Sequence, residues 1–201
     1  MLRVGLTGGL ASGKSFVGRA LADLGCHLIQ ADQLGHEVLM PGGEAFAAVL
    51  NEFGPSIVDE NGTIDRKQLA DEVFGNPARL ALLNSLVHPP VIRREEEMMA
   101  GFAAKDPRAI VVVEAAILIE TGSHKRFDRL VLAVCAEEQQ IQRAMSRDHL
   151  NRQQALARLS RQMPLAEKRK FADYVIDTSG TKEETLRQTR EVYEALRRIE
   201  T

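Results

Sequence analysis

No apolar run in this sequence approaches the roughly 18 residues that argue a membrane-spanning helix, so no span is expected. Cysteine is scarce. Cys26 and Cys135 each lie at or near an apolar strand, and neither has a Cys or His neighbour at ligand spacing. That argues against a metal pair and for two small buried hydrophobes in a reducing compartment. Charge of one sign is also lacking: 26 Lys and Arg stand against 28 Asp and Glu, a net charge of -2. Nothing in that total points to nucleic acid or a membrane surface. There is no internal repeat and no low-complexity tract. Met1-Leu2-Arg3-Val4-Gly5 runs straight into an apolar strand, so no signal peptide is expected and the location expected is cytoplasmic. The 201 residues suffice for a sizeable core in one domain, or in one domain carrying an insertion.

What is present begins at once. Gly8-Gly9-Leu10-Ala11-Ser12-Gly13-Lys14-Ser15 reads G-x-x-x-x-G-K-S, between the apolar run Leu2–Thr7 and the amphipathic run Phe16–Leu24. Strand, glycine loop and helix together are the context that gives this motif meaning. Backbone N–H groups of such a loop cradle phosphate oxygens, and the positive end of the following helix adds to the attraction. The residues expected to line this phosphate cradle are therefore Gly9, Leu10, Ala11, Ser12, Gly13, Lys14, Ser15 and Phe16. Lys14 can reach the outer phosphates, and the Ser15 hydroxyl can ligate Mg2+.

Strands and helices alternate around this motif. Leu2–Thr7, Cys26–Gln30, Ala109–Glu114, Leu130–Val134 and Tyr174–Asp177 read as strands. Lys14–Leu24, closed by Gly25, reads as a helix. So does Lys182–Ile199, which follows a Thr181/Glu184 capping box. The pattern predicts an α/β fold of the P-loop NTPase type, a parallel sheet with helices on both faces. Residues 32 to about 104 break the rhythm. They are mostly helical, punctuated by Pro41-Gly42-Gly43, Asn61-Gly62, an Asp65/Gln68 box and Asn76-Pro77. That exceeds a simple crossover, for which about a dozen residues suffice. It reads as an insertion over the sheet edge, serving a phosphate acceptor or covering apolar sheet surface. The expected plan is a core of 1–31, 105–142 and 172–201, a helical acceptor-side insertion of 32–104 and a lid of 143–171.

Between Arg143 and Lys170 lie eight basic residues and two acids, a local charge of +6, leaving -8 for the rest of the chain. One reading is a solvated helical face. The other is an anion clamp, since phosphoryl transfer spreads negative charge over three equatorial oxygens. Arg147, beside Asp148 at the end of a helix, is the leading clamp residue, while Lys168 to Lys170 read as an exposed face. Among the carboxylates, Asp32 stands two residues beyond the second strand, where ligands of parallel sheets bind. It can orient an acceptor hydroxyl, or it can cap the next helix. Glu114 ends the central strand and can hold Mg2+ through water; Glu120 is a weaker candidate. His88, in Val87-His88-Pro89-Pro90, reads as a packing or acceptor-site residue.

These residues resemble the dephospho-coenzyme A kinase family of P-loop nucleoside-monophosphate-kinase-like enzymes. The resemblance spans nearly the whole length. It runs from Val4-Gly5-Leu6-Thr7-Gly8-Gly9 and Ser12-Gly13-Lys14-Ser15 through Ala31-Asp32, His36-Glu37, Pro41-Gly42 and Leu86-Val87-His88-Pro89. It continues through Arg147-Asp148, Ala157-Arg158, Gln162-Met163-Pro164 with Lys168, Ala172-Asp173-Tyr174-Val175-Ile176-Asp177 and Ser179-Gly180. It implies transfer of the ATP γ-phosphoryl to the ribose 3′-hydroxyl of dephospho-CoA, with Mg2+, in a monomer or weak homo-oligomer. It also implies catalytic roles for Asp32, Lys14 and Arg147, and an acceptor-binding set of Thr7, Asp32 and His88. Three departures stand out. Gln30-Ala31-Asp32 replaces the family's Asp-Ala-Asp. Glu114-Ala115-Ala116-Ile117-Leu118-Ile119-Glu120 replaces a segment that begins with Asp and carries a proline. Ala11 stands where glycine is usual, so that position must tolerate a Cβ.

Two other functions remain open from the residues alone: another small-molecule or nucleotide kinase of this group, and a nucleotide-dependent switch. No Asn-Lys-x-Asp guanine-reading run occurs, and an arginine-rich lid suits an enzyme that closes over its reactants. Both points favour a kinase.

Overall fold

The computed structural model describes residues 1–73 and 75–199. In chain order the elements are β1 (Leu2–Gly8), α1 (Lys14–Asp23), β2 (His27–Gln30), α2 (Ala31–Glu37), α3 (Phe46–Phe53), α4 (Arg66–Val73) and α5 (Pro77–Lys105). They continue with β3 (Ile110–Glu114), β4 (Arg129–Val134), α6 (Glu137–Asp148), α7 (Arg152–Leu159), α8 (Leu165–Lys168), β5 (Tyr174–Asp177) and α9 (Lys182–Ile199). The chain divides into two units, residues 1–29 with 101–201 and residues 30–100.

The first unit is built on a five-stranded sheet in the order β2-β3-β1-β4-β5. β1 runs parallel to β3, with Val4 opposite Val112, and to β4, with Leu6 opposite Val131. β4 runs parallel to β5, with Leu132 opposite Val175. β3 is buried along its whole length, which suits its Ile-Val-Val-Val sequence, since a parallel strand covered on both faces has no room for polar alternation. On one face Leu2, Val4, Leu6, Ile110, Val112, Val131 and Ile176 meet Val17 and Leu21 of α1 and Val192 and Leu196 of α9. Burying each such side chain is worth about 1.5–3 kcal/mol. The Thr181/Glu184 box forms as the sequence predicts: Glu184 N–H donates to Thr181 Oγ1 at 3.2 Å and Thr181 N–H donates to Glu184 Oε2 at 2.8 Å. Cys26 and Cys135 are buried free thiols, and burial pushes the Cys26 thiol up to about 12, so it stays protonated.

The second unit is helical, with Leu34, Val38, Val49, Phe53, Ile57, Ile64 and Leu69 buried. Asp65 starts α4 by accepting from the N–H groups of Lys67 and Gln68 at 2.8 and 3.2 Å. Gln68 donates to the Asp65 carboxylate at 3.0 Å, so the expected box closes side chain to side chain. Asn76 Oδ1 caps α5 by accepting from Arg79 N–H at 3.1 Å. Helix α5 continues through Pro89 and Pro90, which cannot donate to the helix ladder.

Candidate active site

The site grows from the turn between β1 and α1. Gly13 caps α1 with φ 86, a left-handed conformation that glycine adopts without a Cβ clash. At Gly8 a Cβ would fall 2.3 Å from Ser12 Oγ, so only glycine lets the loop close on itself there. Ser12 is fully buried, and its hydroxyl has no hydrogen-bond partner among the described residues. Leaving such a group unmet costs about 1–3 kcal/mol, which an oxygen-rich ligand inside the loop removes. Lys14 and Ser15 open α1 and are half-buried. Ser15 Oγ donates to Glu114 Oε1 at 2.5 Å, so the loop meets the end of β3 directly. Thr7, buried on β1, donates to the carbonyl of Ala116 at 3.3 Å.

Four residues hold this loop in a role that the sequence does not assign to them. Gln140, buried on α6, donates to the Leu10 carbonyl at 2.7 Å, and Leu10 N–H donates to Gln162 Oε1 at 2.7 Å. Thr178, just after β5, donates to the Ser12 carbonyl at 2.9 Å. Arg143 donates to Thr178 Oγ1 at 3.1 Å and to the Thr178 carbonyl at 2.7 Å. Gln162 lay within a motif run and Arg143 within the basic segment, but Gln140 and Thr178 carry no local signal. Ala11 has φ 51, and its methyl packs with Leu10 against Ile141, Ala144 and Ala155. The Cβ that the sequence required this position to tolerate thus joins the α6–α7 cluster.

The basic segment resolves into several fates. Lys168 is a correction: it was expected on an exposed face, and it is fully buried. Its Nζ donates to the carbonyls of Gly8 and Ala116 at 3.2 and 2.7 Å and pairs with Glu120 at 2.8 Å. Burial lowers the Lys168 pKa, the bond to Glu120 opposes this, and the nearby ammonium of Lys14 adds a little to the lowering. Arg169 and Lys170 are exposed as expected. Arg147 is exposed and holds Asp148 with two hydrogen bonds, of 2.7 and 3.0 Å. Arg152 holds Glu138 in the same way, at 2.8 and 2.7 Å.

Asp32 and His88 belong to the second unit. Gln30, not Asp32, occupies the N-cap of α2, and no side chain bonds that cap. Asp32 is the second helical residue and is exposed, so its capping role is not realised. His36, one turn on, has its pKa lowered first by burial, then by Arg66, with Asp32 opposing. His88 is half-buried in α5, and burial lowers its pKa, favouring the neutral ring.

A parallel sheet whose first strand feeds a glycine loop, with lysine and serine opening the next helix and an acid closing the adjacent strand, defines a P-loop nucleotide-binding fold. Residues 2–184 match the family model described as dephospho-CoA kinase. The dephospho-CoA kinase of Carboxydothermus hydrogenoformans is 41% identical over 185 residues, 92% of this chain and 89% of that one. That of Geobacter metallireducens is 42% identical over 188 residues, 94% of this chain and 93% of that one. The crystal structure of TT1252 from Thermus thermophilus superposes with a TM-score of 0.82 at 31% identity, covering 96% of each chain. The chain belongs to the dephospho-CoA kinase family.

Proposed function

We propose that this chain transfers the γ-phosphoryl of ATP to the ribose 3′-hydroxyl of dephospho-CoA, giving coenzyme A, and that Lys14, Asp32 and Arg147 carry the transfer. The observation that carries the activity is the family match across residues 2–184. The residue roles rest on chemistry and position. The loop Gly9 to Phe16 receives the ATP phosphates through the amides not already donating within the protein, as that of Leu10 does to Gln162, and the unmet Ser12 hydroxyl supports an anion in that loop. Lys14 stabilises charge on the outer phosphates as the bond to the γ-phosphorus breaks. Asp32 accepts, or orients, the proton of the attacking hydroxyl. Thr7 and His88 complete the acceptor set.

The donors fit Mg2+. Ser15 and Glu114 put a hydroxyl and a carboxylate in contact, hard oxygens of the kind this ion prefers, and among the described residues no three-carboxylate or histidine cluster competes for it. Ser15 would hold the ion directly and Glu114 through water; bound there, it supplies positive charge to the nucleotide phosphates. Residues 143–171 serve as the lid and residues 32–104 as the acceptor-side insertion. Among the described residues no helix is long and apolar enough to cross a membrane.

The test is ADP release with ATP and a panel of acceptors, the products read by mass spectrometry. Dephospho-CoA should give the highest specificity constant, with the new phosphate on the 3′-oxygen. Adenosine and AMP should be poor but detectable, and shikimate and gluconate should match background hydrolysis. A nucleoside monophosphate that outperformed dephospho-CoA would leave a P-loop kinase with another acceptor.

A further inference from the structure

Among the described residues Lys168 is the largest side chain to be fully buried, and it is charged. An ammonium has three donors, and here each has a separate oxygen: the Gly8 carbonyl at 3.2 Å, the Ala116 carbonyl at 2.7 Å and Glu120 Oε1 at 2.8 Å. No donor remains for a phosphate, so Lys168 is not itself an anion clamp. Its three partners instead mark what it joins. Gly8 is the last residue of β1 and the start of the phosphate loop, and Ala116 follows β3 two residues after Glu114. Glu120 also accepts from Met163 N–H at 3.0 Å, next to Gln162, which accepts from Leu10 N–H in the loop at 2.7 Å. Residues 162–168 thus form a strap bonded to the loop at both Gly8 and Leu10.

We infer that Lys168 is a positioning residue for the nucleotide end of the reaction, fixing the mouth of the phosphate loop against the end of β3 so that Lys14, Ser15 and Glu114 meet ATP in register. The inference rests on the kinase reading and adds to it a residue that touches neither substrate. A buried ammonium that served only as a structural staple would matter for stability alone. Removing it leaves the Glu120 carboxylate, whose side chain is only 21% exposed, without its cation. Much of any lost stability then comes from that orphaned charge.

The test separates the two roles. Lys168→Met should lower the melting temperature, raise KM for ATP and the calorimetric Kd for ADP about tenfold or more, equivalent to ~1.4 kcal/mol, and leave KM for dephospho-CoA within about twofold. Lys168→Met with Glu120→Gln keeps an oxygen for Met163 N–H and removes the orphaned charge. It should recover most of the melting temperature and none of the nucleotide affinity. Recovery of both together, or wild-type nucleotide affinity in Lys168→Met, overturns the inference. Should the single variant fail to fold, the double variant decides alone: weak ADP binding supports the inference and normal binding overturns it. ADP binding needs no acceptor, so a wild-type chain that ignored dephospho-CoA would refute the proposed acceptor and still leave this result readable.

Discussion

Ser15 Oγ donates to the Glu114 carboxylate across 2.5 Å, tying the first turn of α1 to the last residue of β3. Glu114 is buried, and its extra methylene relative to aspartate lets the acid reach the serine directly. Glu114→Gln keeps an acceptor for the hydroxyl but removes the charge that favours a divalent cation. Turnover should fall on the order of 100-fold, and the Mg2+ concentration for half-maximal rate should rise. A Mg2+ titration of the rate checks this. An unchanged midpoint would assign Glu114 to packing.

Ala11 lies at φ 51 with its methyl inside the α6–α7 cluster. A left-handed non-glycine residue costs roughly 1–2 kcal/mol, and burying one methyl returns about 0.8 kcal/mol. Ala11→Gly exchanges one for the other and should move the melting temperature by no more than about 4 °C, the scale of 1 kcal/mol in a chain of this size. Ala11→Val places a β-branched residue at positive φ and should destabilise clearly. Thermal melts of both variants decide, and equal melting of Val and Gly would refute the backbone argument.

The strands were legible because apolar, β-branched runs have few alternatives in a parallel sheet, and α9 because its box sits next to an amphipathic stretch. Gln140 and Thr178 were not legible. Each meets the loop through a contact more than 100 residues away in sequence, and neither residue type implies that partner. Lys168 was misread for a related reason. A Lys-Arg-Lys run looks solvated, and nothing local reveals that oxygens of residues 8, 116 and 120 converge on the first of the three. The sequence leaves Asp32 also able to cap α2, and only the backbone placing Gln30 at that cap removes this role.

Since Asp32 caps nothing and is exposed, Asp32→Asn should leave the melting temperature nearly unchanged. Turnover should fall on the order of 100-fold or more through loss of the proton acceptor, with ATP affinity preserved. Steady-state kinetics beside ADP calorimetry provide the check. A stability loss without a kinetic one would refute the proposed role.

Asp148 is held below the usual carboxylate range first by its hydrogen bond from Arg147; burial opposes this, and the charges of Arg147 and Arg158 add lesser lowering effects. Its folded pKa lies below its unfolded one, so the folded state binds fewer protons and the pair stabilises above about pH 4. That stability is lost as pH falls through the folded pKa. Asp148→Asn should therefore cost stability near neutrality, under about 1 kcal/mol for a pair with an exposed arginine, and the difference should shrink towards zero in acid. Melts from pH 7 downward test the sign. A difference that grew on acidification would contradict it.

Arg147 and Arg169 test what the basic segment does. Arg147 closes α6, is exposed, and commits its Nε–H and one Nη2–H to Asp148, leaving three of its five donors for a phosphate. Arg169 is exposed after the strap. If the segment is a lid, Arg147→Ala should lower turnover on the order of 100-fold, and Arg169→Ala should stay within about threefold. Arg147→Lys should recover only part, because an ammonium lacks the planar fork. Arg143→Ala is the structural control: it releases Thr178 from its brace and should lower the melting temperature. Initial rates at saturating ATP and acceptor, with melts of each variant, separate these outcomes. Small and equal effects of the Arg147 and Arg169 alanines would make the positive charge a solvated face and leave the transferred phosphoryl to Lys14.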